Sequence, residues 1–480
     1  MFFRLSPNFD ENKVFLLDWG RKKLRLDPFY YVPSIIKLED KVVSKTRYKL
    51  SHFIQNMASG ATPSKSEEEL YYTDSENGIP FIRVQNLSED GILNTNDIKY
   101  ITQETNDKLL KRSIFTDSDL LIKITGVGRM AIASVPTKGF YGNINQHIVR
   151  IKTKSRYESE VIAAYLNTDI CEKLASRRAT GGTRPALDYP ALRSIPIIYD
   201  DHIFLTLQKA VKIKNEKIQF AKILLKDTEH YLLDELGIIP PIESDNIFNN
   251  RIFGTDFSEI LGNRLDPFYY QKCFETIDKA IINSKYKNTV TKFRNCLSFI
   301  ESGSRPLGGV KNIEEGILSF GGEHVNWLGQ IEVKTPKYIP EKFHKNHRLT
   351  HTKLNDVLIV KDGATTGKIG IITNSDHVGQ NINEHVFLLR FNNLNPYFVT
   401  FLFNTSLFQK VIKRQITGAT VTGLTKQALK SILIPAPDME VQNKLVETIS
   451  QKRKEAFQLI EDAEIEFTKT KKEIEKMILE

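Results

Sequence analysis

The chain has 480 residues, 40% of them hydrophobic and 26% charged, which supplies apolar content for about three domains and excludes wholesale disorder. Its 67 lysines and arginines outnumber 58 aspartates and glutamates, and the formal charge of +9 permits a polyanionic partner. Cys171, Cys273 and Cys296 are too few for a disulfide scaffold and lack zinc-ligand spacing, and no apolar run approaches the ~18 residues of a membrane span.

In chain order, residues 1–200 read as a mixed α/β domain. Met1 to Asp10 has no apolar core of a secretory leader, so a reducing cytoplasm is expected. Leu120 to Ile124 predicts a strand, and Val161 to Ala175 a helix. Residues 201–237 read as one long helix. Its apolar positions fall near heptad spacing at Phe204, Leu207, Val211, Ile218, Leu225 and Leu232, with Lys214 and Thr228 expected to break the row. Gly237 ends it, and Pro240-Pro241 prevents continuation into a linker over 238–250.

Residues 251–437 read as a second mixed domain. Gly370 to Thr373 and Val386 to Phe391 predict strands, and Tyr397 to Ile412 a helix capped by Asn395 with Pro396 at its first position. Residues 438–480 read as a second long helix, with Ile449, Leu459, Phe467 and Ile474 in its apolar row. Each long helix needs a partner for its stripe. The simplest is the other helix, antiparallel; the alternative is that each folds back on its own domain. The expected fold class is α+β: two pseudo-repeated α/β domains separated by two long helices packing as an antiparallel coiled coil.

The two halves repeat each other. Arg25-Leu-Asp-Pro-Phe-Tyr-Tyr31 recurs verbatim as Arg264-Leu-Asp-Pro-Phe-Tyr-Tyr270. At nearly the same offset, Asp119-Leu-Leu-Ile-Lys123 finds Asp356-Val-Leu-Ile-Val360, Asn143-Ile-Asn-Gln-His147 finds Asn381-Ile-Asn-Glu-His385, and Ala191-Leu-Arg-Ser-Ile195 finds Ala428-Leu-Lys-Ser-Ile432. The period is far too long for a solenoid, so each copy is a domain plus an appendage.

Segments that look catalytic fail in detail. Gly363-Ala-Thr-Thr-Gly-Lys-Ile369 is one residue short of a phosphate loop and lacks the hydroxyl after its lysine. Gly126-Val-Gly128 follows a strand, but no acidic residue sits where a ribose would need one. Asn395-Pro-Tyr-Phe398 lacks the second proline of the amino-methyltransferase motif, and helix capping explains it better. His344, His347 and His351 have helix-face spacing, but the first copy has no histidine in the matching stretch. No catalytic residue and no metal ligand is assigned. The chain reads as a binder.

What is present suits DNA. Glycine lets backbone approach phosphate, hydroxyls and N–H groups position there, and Arg, Gln or Asn reach base edges. Two loops of the first copy carry such groups: Lys123, Thr125 and Arg129 in one, and Arg177, Arg178, Thr180, Thr183 and Arg184 in the other. Their counterparts are Lys361, Thr365 and Lys368, and Arg414, Gln415, Thr417, Thr420 and Thr422. Arg83, Gln85 and Asn86, and Asn326 beside Trp327, sit on strand-like segments that differ between the copies. The bland reading is that these are solvated turns.

This layout resembles the specificity subunit of type I restriction–modification enzymes. The resemblance rests on the duplicated domains, each with its long helix, and on an ordered set of local patterns. These are Asp119 to Lys123 and Asp356 to Ile369 as strand and glycine turn, Asn381-Ile-Asn383, and Leu232-Leu-Asp-Glu-Leu-Gly237 as the end of the first helix. Ile432-Leu-Ile-Pro-Ala-Pro437 with Gln442 resembles the entry into the family's conserved helix, with Val441 where glutamate is usual; the first copy lacks the second proline. The resemblance implies two target-recognition domains on a coiled-coil spacer, each reading half of an asymmetric bipartite site in double-stranded DNA. It implies two adenine-methyltransferase subunits docked on the helices, and motor–nuclease subunits completing the complex. This chain would bind no cofactor; S-adenosylmethionine would sit on the partner. One rival is a specificity subunit whose partner fuses methyltransferase and nuclease. Another is a coiled-coil scaffold that bridges proteins and ignores DNA.

Overall fold

A computed structural model describes residues 10, 13, 27–64, 68–95, 97–241, 254–256, 260, 264–310, 313–418 and 423–480. The chain divides into two compact units. Unit 1 is 1–218 with 460–480, and unit 2 is 219–459.

In unit 1, α1 (Pro33–Lys45) precedes β1 (Asn56–Ser59), α2 (Glu68–Tyr71), β2 (Tyr72–Thr73), β3 (Ile79–Ile82), β4 (Lys99–Ile101), β5 (Leu120–Lys123), β6 (Ala133–Ser134), β7 (Asn143–Ile144) and β8 (Ile148–Lys152). Helices α3 (Arg156–Leu166), α4 (Asp169–Arg178) and α5 (Tyr189–Arg193) lead into α6 (Asp201–Glu235). The antiparallel sheet β1-β8-β5-β6 forms the centre, and β2-β4-β3-β7 flanks it, with β3 and β7 parallel. Strand β5 is buried along its whole length, as an unbroken Leu-Leu-Ile run demands.

Unit 2 repeats this plan. Helix α7 (Lys272–Ile282) is followed by β9 (Val290–Lys292), β10 (Leu297–Ser302), β11 (Ile317–Phe320), β12 (Tyr338–Ile339), α8 (Glu341–Asn346), β13 (Val357–Val360), β14 (Ile369–Ile371), β15 (Asn381–Ile382) and β16 (Val386–Phe391). Then come α9 (Pro396–Phe403), α10 (Ser406–Gln415), α11 (Lys426–Ser431), β17 (Leu433–Pro435) and α12 (Met439–Leu479). Sheet β10-β16-β13-β14 matches the central sheet of unit 1, and β12-β11-β15, again with one parallel pair, matches the flanking one. Asn395 caps α9 through a hydrogen bond from the Tyr397 N–H at 2.9 Å, as its Asn-Pro sequence predicts. Thr168 and Thr405 cap α4 and α10 in the same way.

The verbatim repeat has a structural task. Asp27 accepts from the Tyr30 N–H at 3.1 Å, and Asp266 from the Tyr269 N–H at 3.2 Å, each closing a single tight turn. The tyrosine carbonyl then accepts from an arginine at the end of α4 or α10: Arg177 Nε at 2.7 Å, Arg414 Nε at 2.9 Å. Each guanidinium lies over its tyrosine ring, at 4.4 and 4.5 Å. A carboxylate on the first helix of each unit completes the clasp. Glu39 of α1 takes both Arg177 and Arg178, and Asp278 of α7 takes Arg414 at 2.7 Å.

The long helices do both things the sequence left open. The start of α6 and the end of α12 share the core of unit 1, where Phe204, Leu207 and Val211 join Phe467, Ile474 and Ile478. The end of α6 and the start of α12 share the core of unit 2, where Leu232 and Leu233 join Leu445 and Ile449. The pair is therefore antiparallel, and each unit also buries one end of each helix. On α6, Phe204, Leu207, Val211, Lys214, Ile218, Ala221, Leu225, Thr228 and Leu232 form an unbroken row of buried and half-buried positions in alternating steps of three and four. Leu459 is half-buried in the α12 row.

Lys214 and Thr228 thus belong to the seam, contrary to expectation. The Thr228 hydroxyl donates to the Leu225 carbonyl at 2.6 Å, so its oxygen is satisfied within the helix. Lys214 lays its stem along the seam and sets its ammonium 4.5 Å from the Phe467 ring, 3.0 Å from Glu464 and 3.4 Å from Asp90. Lys452 takes the corresponding position on α12 and stands 5.2 Å from the Tyr231 ring.

Candidate nucleic-acid interface

In each unit four segments converge at one end of the central sheet. Strand β5 runs into the turn at Thr125 and Gly126, and the hairpin after α4 folds back on it. Thr180 and Ala186 exchange hydrogen bonds at 2.8 Å each, Gly126 N–H donates to the Pro185 carbonyl at 3.0 Å, and Leu187 N–H to that of Ile124 at 2.8 Å. The Asn-Ile-Asn-Gln-His segment joins through Ile124 N–H and the His147 carbonyl, 2.9 Å. The loop after β1 joins through Gly60 N–H and the Ile148 carbonyl, 3.2 Å.

Unit 2 builds the same junction. Thr417 and Gly423 exchange hydrogen bonds at 2.9 and 2.7 Å, and Leu424 N–H reaches the Lys361 carbonyl at 2.5 Å. Lys361 N–H donates to the His385 carbonyl at 2.9 Å, and Gly303 N–H to that of Val386 at 3.2 Å. Gly60 and Gly303 sit so close to the carbonyls of Ile144 and Ile382 that a Cβ would fall on the oxygen. The two loops that sequence matching paired are therefore neighbours in space in both units. Thr420 and Thr422 lie outside the described residues.

Several sequence candidates turn inward. Lys123 is buried, and its ammonium donates to the Val127 and Arg129 carbonyls at 2.8 Å each, pinning the glycine turn from beneath; burial lowers its pKa. Arg129 bonds Asp169 at 2.5 Å and the Asn167 carbonyl at 2.6 Å, and lies 3.5 Å from Glu89. Arg177, Arg178 and Arg414 are held in the clasps, and Gln415 is buried. Asn86 is buried in a turn, accepting from the Arg83 N–H at 3.0 Å, while Arg83 and Gln85 both bond Asp97. Asn326 closes a turn with Gln330 and Glu332.

Others face solvent at the junction. In unit 1 these are Thr180, Thr183 and Arg184, with Thr125 half-buried. In unit 2, Thr417 is exposed, and Lys361, Thr365 and Lys368 are half-buried. Lys368 stands 5.6 Å from the half-exposed Trp327 ring, and burial lowers its pKa. A cavity of about 810 Å³ opens beside it, lined by Trp327, Phe268, Lys410, Lys413 and the glycine turn. The Trp327 loop is held from the long helix. Arg453 of α12, flanked by Phe401 and Phe457, donates to the Leu328 carbonyl, and burial pulls its guanidinium down to about 10.

Sequence reasoning noticed the Asn-Ile-Asn segments as repeats and missed them as part of the junction. Gln146 is exposed and bonded to the Thr62 hydroxyl. Beside it, burial and the Arg184 charge hold the His147 imidazole below its ordinary pKa. In unit 2, Glu384 and His385 take these places, bonded to Arg305 and Asp362. The usable signal was the shared Gly-x-x-Pro, which places Thr62 and Arg305 at one position.

Among the described residues no cluster of His, Cys, Asp or Glu could hold a metal ion, and no helix is long and apolar enough to cross a membrane. The rings of His344, His347 and His351 bond to Asn381, the Phe343 carbonyl and the His344 carbonyl.

One family model matches the chain: the type I restriction modification DNA specificity domain, over residues 304–468. No curated protein sequence matches. Three solved structures resemble it over most of their length. The S subunit of a type I restriction–modification system from M. genitalium is 12% identical, with 89% of this chain and 95% of that one covered and a TM-score of 0.37. A chain from a structure concerned with complex assembly and conformational transition of the type I system is 14% identical, with 90% and 95% covered and a TM-score of 0.38. The HsdS subunit from Thermoanaerobacter tengcongensis is 14% identical, with 90% and 94% covered and a TM-score of 0.31. All three scores lie below 0.5, and the family model matches about a third of the chain.

Proposed function

We propose that this chain, whose residues 304–468 match the model of the type I restriction modification DNA specificity domain, is the DNA-recognition subunit of such a system, with its two units reading the two halves of an asymmetric bipartite site in double-stranded DNA. The observation that carries this reading is the junction itself. The same four segments converge in both units, on the same backbone bonds, while most of the exposed side chains differ, Thr180 and Thr417 being the shared pair. A conserved frame with divergent contacts is what two readers of different half-sites require. Arg184 and the threonines of unit 1, and Lys361, Thr365, Lys368 and Thr417 of unit 2, are the groups this reading places near phosphate and base edges.

Helices α6 and α12 dock two adenine-methyltransferase subunits, to which motor–nuclease subunits add. Phe220 and Ile223 on α6, and Ile465 and Met477 on α12, leave apolar surface exposed for such partners. The chain itself catalyses nothing, and S-adenosylmethionine and the target adenine belong to the methyltransferase. The complex works in the cytoplasm.

The test is a genome-wide map of N6-methyladenine in cells carrying this chain and its gene neighbours, with and without the chain. A two-part motif with a fixed gap, present only with the chain, is expected. Methylation at unchanged sites in cells lacking it would refute the reading.

A further inference from the structure

The two junctions differ most sharply at one matched contact. In unit 1 the third residue of Gly60-Ala-Thr-Pro63 is Thr62, whose hydroxyl donates to Gln146 Oε1. In unit 2 the third residue of Gly303-Ser-Arg-Pro306 is Arg305, whose Nε lies 3.1 Å from Glu384 Oε1. Gln146 and Glu384 each follow an Asn-Ile-Asn segment, and the two glycines are fixed by the same close approach to it. A hydroxyl–amide pair has become a guanidinium–carboxylate pair. Both partners changed and the contact survived, whereas independent surface drift would have broken it. Nor does packing require the exchange, since Thr62, Gln146 and Arg305 are all exposed.

On the reading given above, we propose that Thr62–Gln146 and Arg305–Glu384 are corresponding base-reading pairs of the two units, the first suited to an A·T pair and the second to a G·C pair. A glutamine amide donates to adenine N7 and accepts from its N6 amino group, and a threonine hydroxyl on its oxygen fixes which way the amide faces. An arginine donates to guanine O6 and N7, while a neighbouring carboxylate accepts from the N4 amino group of the paired cytosine.

The electrostatics of unit 2 allow this. A lone carboxylate facing DNA is repelled by phosphate. Here Glu384 is matched by Arg305, and Asp362 by Lys361 at 3.6 Å, with His385 lying between the two carboxylates. Unit 1 places the neutral Thr125 where unit 2 has Asp362, and no carboxylate of the matched set needs a counter-charge there.

The experiment transplants the pair. The double variant Arg305→Thr, Glu384→Gln gives unit 2 the chemistry of unit 1. It is expressed in place of the natural chain with the same gene neighbours, and N6-methyladenine is mapped. One position of one half-site should shift from G·C towards A·T. Discrimination there should change by about 5- to 100-fold, with the other half-site and the gap unchanged. The isosteric single variant Glu384→Gln covers the case in which the double variant does not fold, and it should relax the same position. A wild-type motif from either folded variant overturns the proposal, as does a change in both halves or in the gap. A natural chain that directs no two-part motif at all refutes the recognition-subunit reading instead.

Discussion

Replacing Lys214 by alanine removes the one cation in the buried row of α6 between Phe204 and Leu232. Three methylenes of stem leave an apolar seam, a loss of about 2.5 kcal/mol at about 0.8 kcal/mol each. The cation–π contact with Phe467 contributes about 1 kcal/mol more. The ion pairs add little each, because Glu464 is about half exposed and solvent screens it. About 1.5 kcal/mol returns as side-chain freedom that the folded lysine had given up. The net loss is about 2 kcal/mol, or about a 30-fold faster opening of the local structure. Amide hydrogen exchange read by mass spectrometry over 201–218 and 460–479 measures it without assuming that the whole chain unfolds in one step. Lys214→Met keeps most of the stem packing, and its loss should be about half as large. Exchange in both variants within twofold of the natural chain would show that the lysine is solvated, and the seam assignment would fail.

Two further predictions address unit 1. Glu39→Gln leaves two guanidiniums, each 11% exposed, without their shared carboxylate, and unit 1 should lose about 2–3 kcal/mol. In calorimetry its transition should move down while that of unit 2 stays in place, and an unmoved transition would show that the clasp contributes nothing. His147 is held below the ordinary imidazole pKa by burial first and by Arg184 second. Folding therefore favours the neutral ring. The stability it contributes is complete above about pH 6.5, where a free histidine is also neutral, and is lost as pH falls through the ordinary range towards the depressed folded value. NMR titration should place His147 below 6.5 and return it part of the way in Arg184→Ala; an identical titration would separate the two side chains.

The long helices were legible because heptad spacing is local, and the α9 cap because Asn-Pro is. The clasp was not. Arg177, Arg178 and Arg414 stand beside glycine- and threonine-rich loops, and in sequence a basic group there looks free for phosphate. What commits them is Glu39 or Asp278, more than a hundred residues away, together with a tyrosine carbonyl that composition does not reveal. Lys214 was misread for a related reason. A charge in an apolar row looks like a break until the Phe467 ring and the carboxylates of Asp90 and Glu464 are seen around it. The junction was half legible: its loops were found by repetition, but the exposed Thr62, Gln146 and Arg305 carry no periodic signal.

Because unit 1 takes its closing helix from residues 460–480, its assembly on the ribosome cannot follow chain order. Its strands emerge early and wait, with Phe204, Leu207 and Val211 uncovered by Phe467 and Ile474, while all of unit 2 is synthesised. Unit 2, an unbroken stretch over 219–459, has its full complement of residues first. The half of the molecule that is translated first is thus finished last, and during that interval its greasy surface is the part most in need of a chaperone's cover.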